Sequence, residues 1–195
     1  AWGYNDVGQL GINDRANRSS PIQIPGTNWD LVSCGYSSVG AIRTDGTLWA
    51  WGKNTTGQLG LNNNTQYSSP IQIPGTTWDL VSGGYSHIGV ATKTDGTLWT
   101  WGSNSYGKLG IGQPSNNEDR SSPVQIPGTW TKINGGGNFM AIDDSGTMYT
   151  WGFNREGQLG NNQQNSNSPF GKKPSPVSIM DDVSDISFGR EQAYS

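Results

Sequence analysis

One cysteine and one histidine stand in 195 residues. A lone cysteine makes no internal disulfide and no cysteine-rich zinc site. Charge is scarce too: charged residues are 14% of the chain, against about 25% in ordinary globular domains. With 12 Lys+Arg, 15 Asp+Glu and a net charge of −3, the chain lacks the basic footprint of a nucleic-acid binder. No apolar run approaches the roughly 20 residues of a membrane helix. The first residues show no charged-then-apolar signal pattern. Phosphate-loop, His-Glu-x-x-His and Gly-x-Ser-x-Gly motifs are missing. The expectation is therefore a chain that is not an enzyme, with no catalytic residues, no metal site, no cofactor and no membrane insertion.

What is abundant is Gly, Ser, Asn and Thr, together 85 residues, and nine Trp. Disordered chains are poor in aromatics and rich in charge, so this composition reads as short strands joined by many tight turns. The strongest signal is an internal repeat. Trp-Gly, then Asn, then Gly-x-Leu-Gly begins at Trp2, Trp51, Trp101 and Trp151, at spacings of 49, 50 and 50. Ser-Pro recurs with prolines at Pro21, Pro70, Pro123 and Pro176, and Gly-Thr with Gly46, Gly96 and Gly146. Between Trp-Gly and Ser-Pro the distance grows from 19 and 19 to 22 and 25. The insertions thus fall in one loop per repeat, at 112–120 and 161–174.

Each repeat reads as four strands, near Trp29–Gly35, Val39–Thr44, Thr47–Gly52 and Pro70–Pro74. Asp45-Gly46 reads as a two-residue hairpin with positive φ. Pro70-Ile71-Gln72-Ile73-Pro74 alternates with period two, and its prolines fit an edge strand. Four strands per period of about 50 is the arithmetic of a β-propeller blade. The fold class is all-β, with partial repeats at 1–28 and 183–195 around blades 29–77, 78–129 and 130–182. Trp51, Trp101 and Trp151, with Leu59, Leu109 and Leu159, are expected between blades.

The run Gly-Thr-x-Trp-x-Trp-Gly-x-Asn-x-x-Gly-Gln-Leu-Gly resembles the regulator of chromosome condensation repeat family. It stands at 46–60, at 96–110 with Lys108 for Gln, and at 146–160 with Tyr149 for the first Trp. Cys34-Gly35, Gly83-Gly84 and Gly135-Gly136 supply the preceding turns. The resemblance implies a propeller, usually of seven blades in one ring. Both ends fall inside a repeat, so neighbouring subunits or further repeats of a larger chain are expected. The family's His after the turn is filled by His87, with Ser38 in that slot one repeat earlier. The Ser-Ser-Pro-Ile-Gln-Ile-Pro-Gly-Thr insert looks like the bacterial and phage-type version.

Side chains outside the repeat are the candidates for partner contact. They are Tyr67, Tyr106 and Phe153 in or beside the variable loops, Glu118, Asp119 and Arg120 in one insertion, and Phe170, Lys172 and Lys173 in the other. Trp29, Trp78 and Trp130 read as inter-blade packing, with sugar stacking as the alternative. Asp143-Asp144 and Asp181-Asp182 are weak candidates for a hard cation, lacking a loop of alternating oxygen ligands. The reading is a binding or structural module of a phage virion appendage, tail or fibre, or of a bacterial surface protein, engaging a protein or glycan. The resemblance carries two alternatives: a guanine-nucleotide exchange regulator of a small GTPase, or an inhibitor of an extracellular enzyme.

Overall fold

The computed structural model describes residues 1–84, 87–112, 118–162 and 171–186. Its described strands form three four-stranded antiparallel sheets, each built in chain order. The first holds β1 (Trp29–Cys34), β2 (Ser38–Arg43), β3 (Leu48–Gly52) and β4 (Tyr67–Gln72). The second holds β5 (Trp78–Gly84), β6 (Ile88–Lys93), β7 (Leu98–Gly102) and β8 (Arg120–Ile126). The third holds β9 (Trp130–Gly135), β10 (Phe139–Asp143), β11 (Met148–Phe153) and β12 (Lys172–Met180). A single 3-10 turn, Ser105–Gly107, is the only helical element among the described residues.

The fourth strands lie at the sheet edges and carry Pro70, Pro123, Pro174 and Pro176, where a missing N–H breaks no ladder. β4 starts at Tyr67 and ends at Gln72, earlier than the Pro70–Pro74 alternation indicates. Ile73 still donates to the Leu48 carbonyl at 2.8 Å, just past the strand. The Asp-Gly hairpin also differs from expectation. Gly46 N–H donates to Arg43 O and Arg43 N–H to Thr47 O. Gly46 alone in this loop takes positive φ, +74°. The loop is therefore three residues, a turn followed by a left-handed glycine bulge, rather than two. Asp45 completes it: Oδ1 accepts from Thr47 N–H and from the Thr47 hydroxyl, which lowers the pKa of its carboxyl.

The core lies in the seams between sheets. One cluster joins Ile42, Leu48, Leu59 and Ile73 of the first sheet and its loop to Trp78, Val81, Ala91 and Trp101 of the second. The next joins Ile88, Val90, Leu98, Leu109 and Ile126 to Trp130, Phe139, Ala141 and Trp151. Trp51, Trp101 and Trp151 are at most 2% exposed, and so are Leu59, Leu109 and Leu159. Each of these Trp reaches back one repeat. The indole N–H donates to Gln9 O at 3.1 Å, Gln58 O at 3.0 Å and Lys108 O at 2.9 Å respectively. The ring lies on the last glycine of that turn. A Cβ on Gly60, already at φ +70°, would sit 3.0 Å from the Trp101 ring nitrogen.

The turn itself is held by a buried Asn. Asn54 Oδ1 accepts from Leu59 N–H at 3.0 Å, while Nδ2 donates to the carbonyls of Asn63 and Thr65, each at 2.9 Å. Asn5, Asn104 and Asn154 accept from Leu10, Leu109 and Leu159 in the same way. Two smaller links recur. Ser33 and Ser82 hydroxyls accept N–H groups of Gly83 and Gly135 in the next sheet. The hairpin carbonyls of Gly46, Gly96 and Gly146 accept from Trp78, Trp130 and Val183.

Two substitutions test this seam. Trp101→Ala should cost about 3–5 kcal/mol in denaturant unfolding, the range for a buried aromatic truncated to Ala. Asn54→Ala leaves one N–H and two carbonyls unpaired and should cost at least about 2 kcal/mol. Asn64→Ala, on the exposed part of the same loop, should stay within about 0.5 kcal/mol.

Candidate functional site

Antiparallel pairing puts the β1–β2 and β5–β6 turns at one end of the strands, on one face of the array, and the Asp-Gly hairpins at the other. On the first face, side chains of neighbouring repeats meet. The Tyr36 and His87 rings stand 5.7 Å apart, edge to face. Lys53 Nζ lies 3.2 Å from His87 Nε2 and 6.0 Å from the Tyr36 ring centre. His87 takes φ +62°, a left-handed backbone few side chains adopt. Burial, then the charges of Lys53 and Lys108, lower its pKa. The imidazole is thus favoured neutral, with Nε2 free to accept from the ammonium. Further along, Lys108 Nζ stands 5.8 Å from the Tyr106 ring. Tyr106 packs edge to face on Phe153 at 4.9 Å. Tyr36, Lys53, His87, Lys108, Tyr106 and Phe153 form a stripe of π faces and ammonium groups across three repeats.

Two of the expected contact residues, Tyr106 and Phe153, therefore come together here. Tyr106 is exposed on a left-handed backbone, φ +63°, and Phe153 is half-buried, its N–H donating to Asn138 Oδ1. Lys172 and Lys173 pair with Phe153 and Gly152 in the ladder, beside this stripe. Tyr67 is half-buried, packs on the first core cluster and accepts from Asn63 Nδ2 at 3.3 Å. Its ring is spent largely on the framework. Asp119 closes the second repeat's loop, accepting from Asn104 N–H at 3.0 Å. Arg120 donates to Glu118 at 3.1 Å at the start of β8. Phe170 lies outside the described residues.

The sheet register corrects the position of His87. Ser37 and His87 carbonyls accept from Lys53 and Ser103 N–H, and Ser38 and Ile88 face Gly52 and Gly102. His87 thus matches Ser37, because Trp78 to Ile88 is one residue longer than Trp29 to Ser38. Counting from the glycine turn hides that insertion. His87 contacts Tyr36 and Lys53, and partial desolvation raises the pKa of the Cys34 thiol, the opposite of nucleophile activation. Among the described residues no three His, Cys, Asp or Glu side chains gather as metal ligands do.

The opposite face holds aromatic clasps, at Trp positions that the sequence reading assigned to packing, with sugar stacking as the alternative. Trp78 and Trp130 are buried against Trp101 and Trp151, as packing requires. In the first two repeats the corresponding rings also hold a cation. The Arg43 guanidinium lies 4.6 Å from the Trp29 ring centre and 4.1 Å from that of Trp49. Lys93 Nζ lies 4.9 Å and 5.1 Å from Trp78 and Trp99. The signal was present in the sequence as basic residues at 43 and 93, one period apart.

Family models of the regulator of chromosome condensation (RCC1) repeat match residues 1–42, 45–91, 95–142 and 145–193. No curated protein sequence matches the chain significantly. Among solved structures, human WBSCR16 superposes with a TM-score of 0.77 at 23% identity, over 92% of this chain and 47% of that one. Yeast RCC1 (Prp20), solved bound to Kap60, gives 0.75 at 20% identity, over 93% and 44%. Prp20p from Saccharomyces cerevisiae in a second structure gives 0.74 at 19% identity, over 93% and 46%. The chain spans less than half the length of each. At these identities the superpositions show the fold, an all-β propeller of four-stranded antiparallel blades. The four repeat matches cover nearly the whole chain, which therefore belongs to the RCC1 repeat family.

Proposed function

We propose that this chain is a non-enzymatic binding module that engages a protein partner through the stripe from Tyr36 to Phe153. The observation that carries this reading is the alternation of aromatic rings and lysines across three repeats on one face. Rings and ammonium groups together favour an acidic, aromatic-bearing segment. The structural relatives lend support of a general kind. Prp20 is described in complex with Kap60, and its binding to Gsp1p and histones has been examined. The proposal extends to location, on a phage virion appendage or a bacterial surface. It rests there on the sparsely charged, Asn/Ser/Thr-rich composition and the near-identical repeats. The exchange-factor reading remains the alternative.

A peptide of alternating Glu, Asp and Tyr should shift the assigned His87 and Tyr106 resonances. Lys53→Ala with Lys108→Ala should weaken its binding about two- to thirtyfold, two charge pairs at the protein surface being worth about 0.2–1 kcal/mol each. Raised salt should weaken it likewise. Unchanged binding in the double variant would remove the stripe from the reading. Accelerated nucleotide release from a small GTPase would favour the exchange-factor alternative. Antibody labelling of whole virions or unpermeabilised cells tests the location.

A further inference from the structure

The third repeat breaks the pattern of the cation clasps. Position 43 is Arg, position 93 is Lys, and the equivalent position 143 is Asp. The hairpin bonds confirm the equivalence: Arg43, Lys93 and Asp143 N–H donate to Thr47, Thr97 and Thr147 O. The aromatic pair persists, with Trp130 and Tyr149 packed edge to face at 5.2 Å. Among the described residues no Lys or Arg stands over either ring. In the first two repeats a Pro-Gly turn borders the cation. A Cβ on Gly26 would lie 2.8 Å from an Arg43 guanidinium nitrogen, and one on Gly75 3.7 Å from Lys93 Nζ. Gly128 is the third member of that series. Here it lines an open groove of about 740 Å³, together with Trp130, Tyr149, Asp143 and Asp144.

The groove has the electrostatics for a guest cation. Asp143 Oδ1 accepts from Ser145 and Thr147 N–H and from the Ser145 hydroxyl, which lowers its pKa and keeps it ionised. Asp144 is exposed beside it, and Asp181 accepts from the Thr147 hydroxyl nearby. Arg120 also lines the groove and is bonded to Glu118. Trp130 Nε1 is buried without a hydrogen-bond partner, as are Trp29 and Trp78 Nε1. It lies against Gly128, where a Cβ would come within 3.0 Å. We propose that the Trp130–Tyr149 groove is a second binding site, for an arginine or lysine side chain of a partner protein. That guest takes the place that Arg43 and Lys93 fill internally in the other two repeats. Tyr149, the less buried of the two rings, holds a guanidinium or ammonium by cation–π attraction, and the Asp143 and Asp144 carboxylates supply the opposite charge.

The test titrates the intact protein with N-acetylarginine amide and follows the assigned Trp indole N–H resonances. The Trp130 signal should move with the arginine derivative and stay put with neutral N-acetylcitrulline amide. Asp144→Asn should weaken binding about two- to fivefold, as expected for an exposed charge pair. D143R with S145D rebuilds the first-repeat clasp, the new Asp taking over the hairpin bonds as Asp45 does. That variant should lose arginine binding and melt at a higher temperature than the parent. An equal response to citrulline, a Trp130 signal that ignores arginine, or undiminished binding in D143R/S145D would overturn the proposal. A shift with a neutral methyl glycoside and none with arginine would overturn it in favour of a sugar subsite. If D143R/S145D fails to fold, the citrulline comparison and Asp144→Asn decide the matter alone.

Discussion

The contact on which each repeat's seam with the one before it is organised is made by one tryptophan. Its indole N–H binds a carbonyl inside the preceding Gly-x-Leu-Gly turn, and its ring covers the glycine that ends that turn. The rest of the motif follows from this contact. The glycine has to lack a Cβ and take positive φ. The leucine fills the space beside the ring. The asparagine holds the turn rigid enough to present its carbonyl. One sheet cannot bury its faces alone, so burial falls in the seams, and every repeat needs a neighbour.

That division of labour leaves the two faces free. The framework uses the strands, the turn glycines and the buried Asn, and none of these has to vary. The side chains that do vary gather at the sheet ends. On one face they form the stripe from Tyr36 to Phe153. On the other they decide whether a clasp is filled from within, as by Arg43 and Lys93, or presents carboxylates, as with Asp143. A solenoid-like array can thus diversify its surfaces without touching its core.

Particular residues show how much could be read in advance. The burial of Trp51, Trp101 and Trp151 was legible because packing recurs at framework positions. The edge position of β4 was legible because Pro70 has no N–H to give. Register was less legible: one extra residue within Trp78–Ile88 moves His87 from the Ser38 slot to the Ser37 slot, and ladder pairing settles it. The Asp-Gly hairpin was found but mis-sized, since a two-residue and a three-residue loop share the same pair of residues. Tyr67 and Tyr106 looked alike in sequence. One is packed into a core and the other stands on a left-handed turn beside Phe153.

The sequence by itself determined the architecture. A period of about 50 residues, four strands per period and a recurring Trp, Asn and Gly-x-Leu-Gly leave little but a propeller blade, because local turn chemistry and seam packing repeat with the chain. Only the tertiary structure decided which surface residues act together. Tyr36 meets His87 and Tyr106 meets Phe153 through the placement of neighbouring blades, and the groove beside Trp130, Tyr149 and Asp143 is completed by Gly110, Ile126 and Gly128 from the preceding repeat. These are contacts between residues far apart in the chain or on opposite ends of strands. No local periodicity encodes them, and the geometry of the seam sets them.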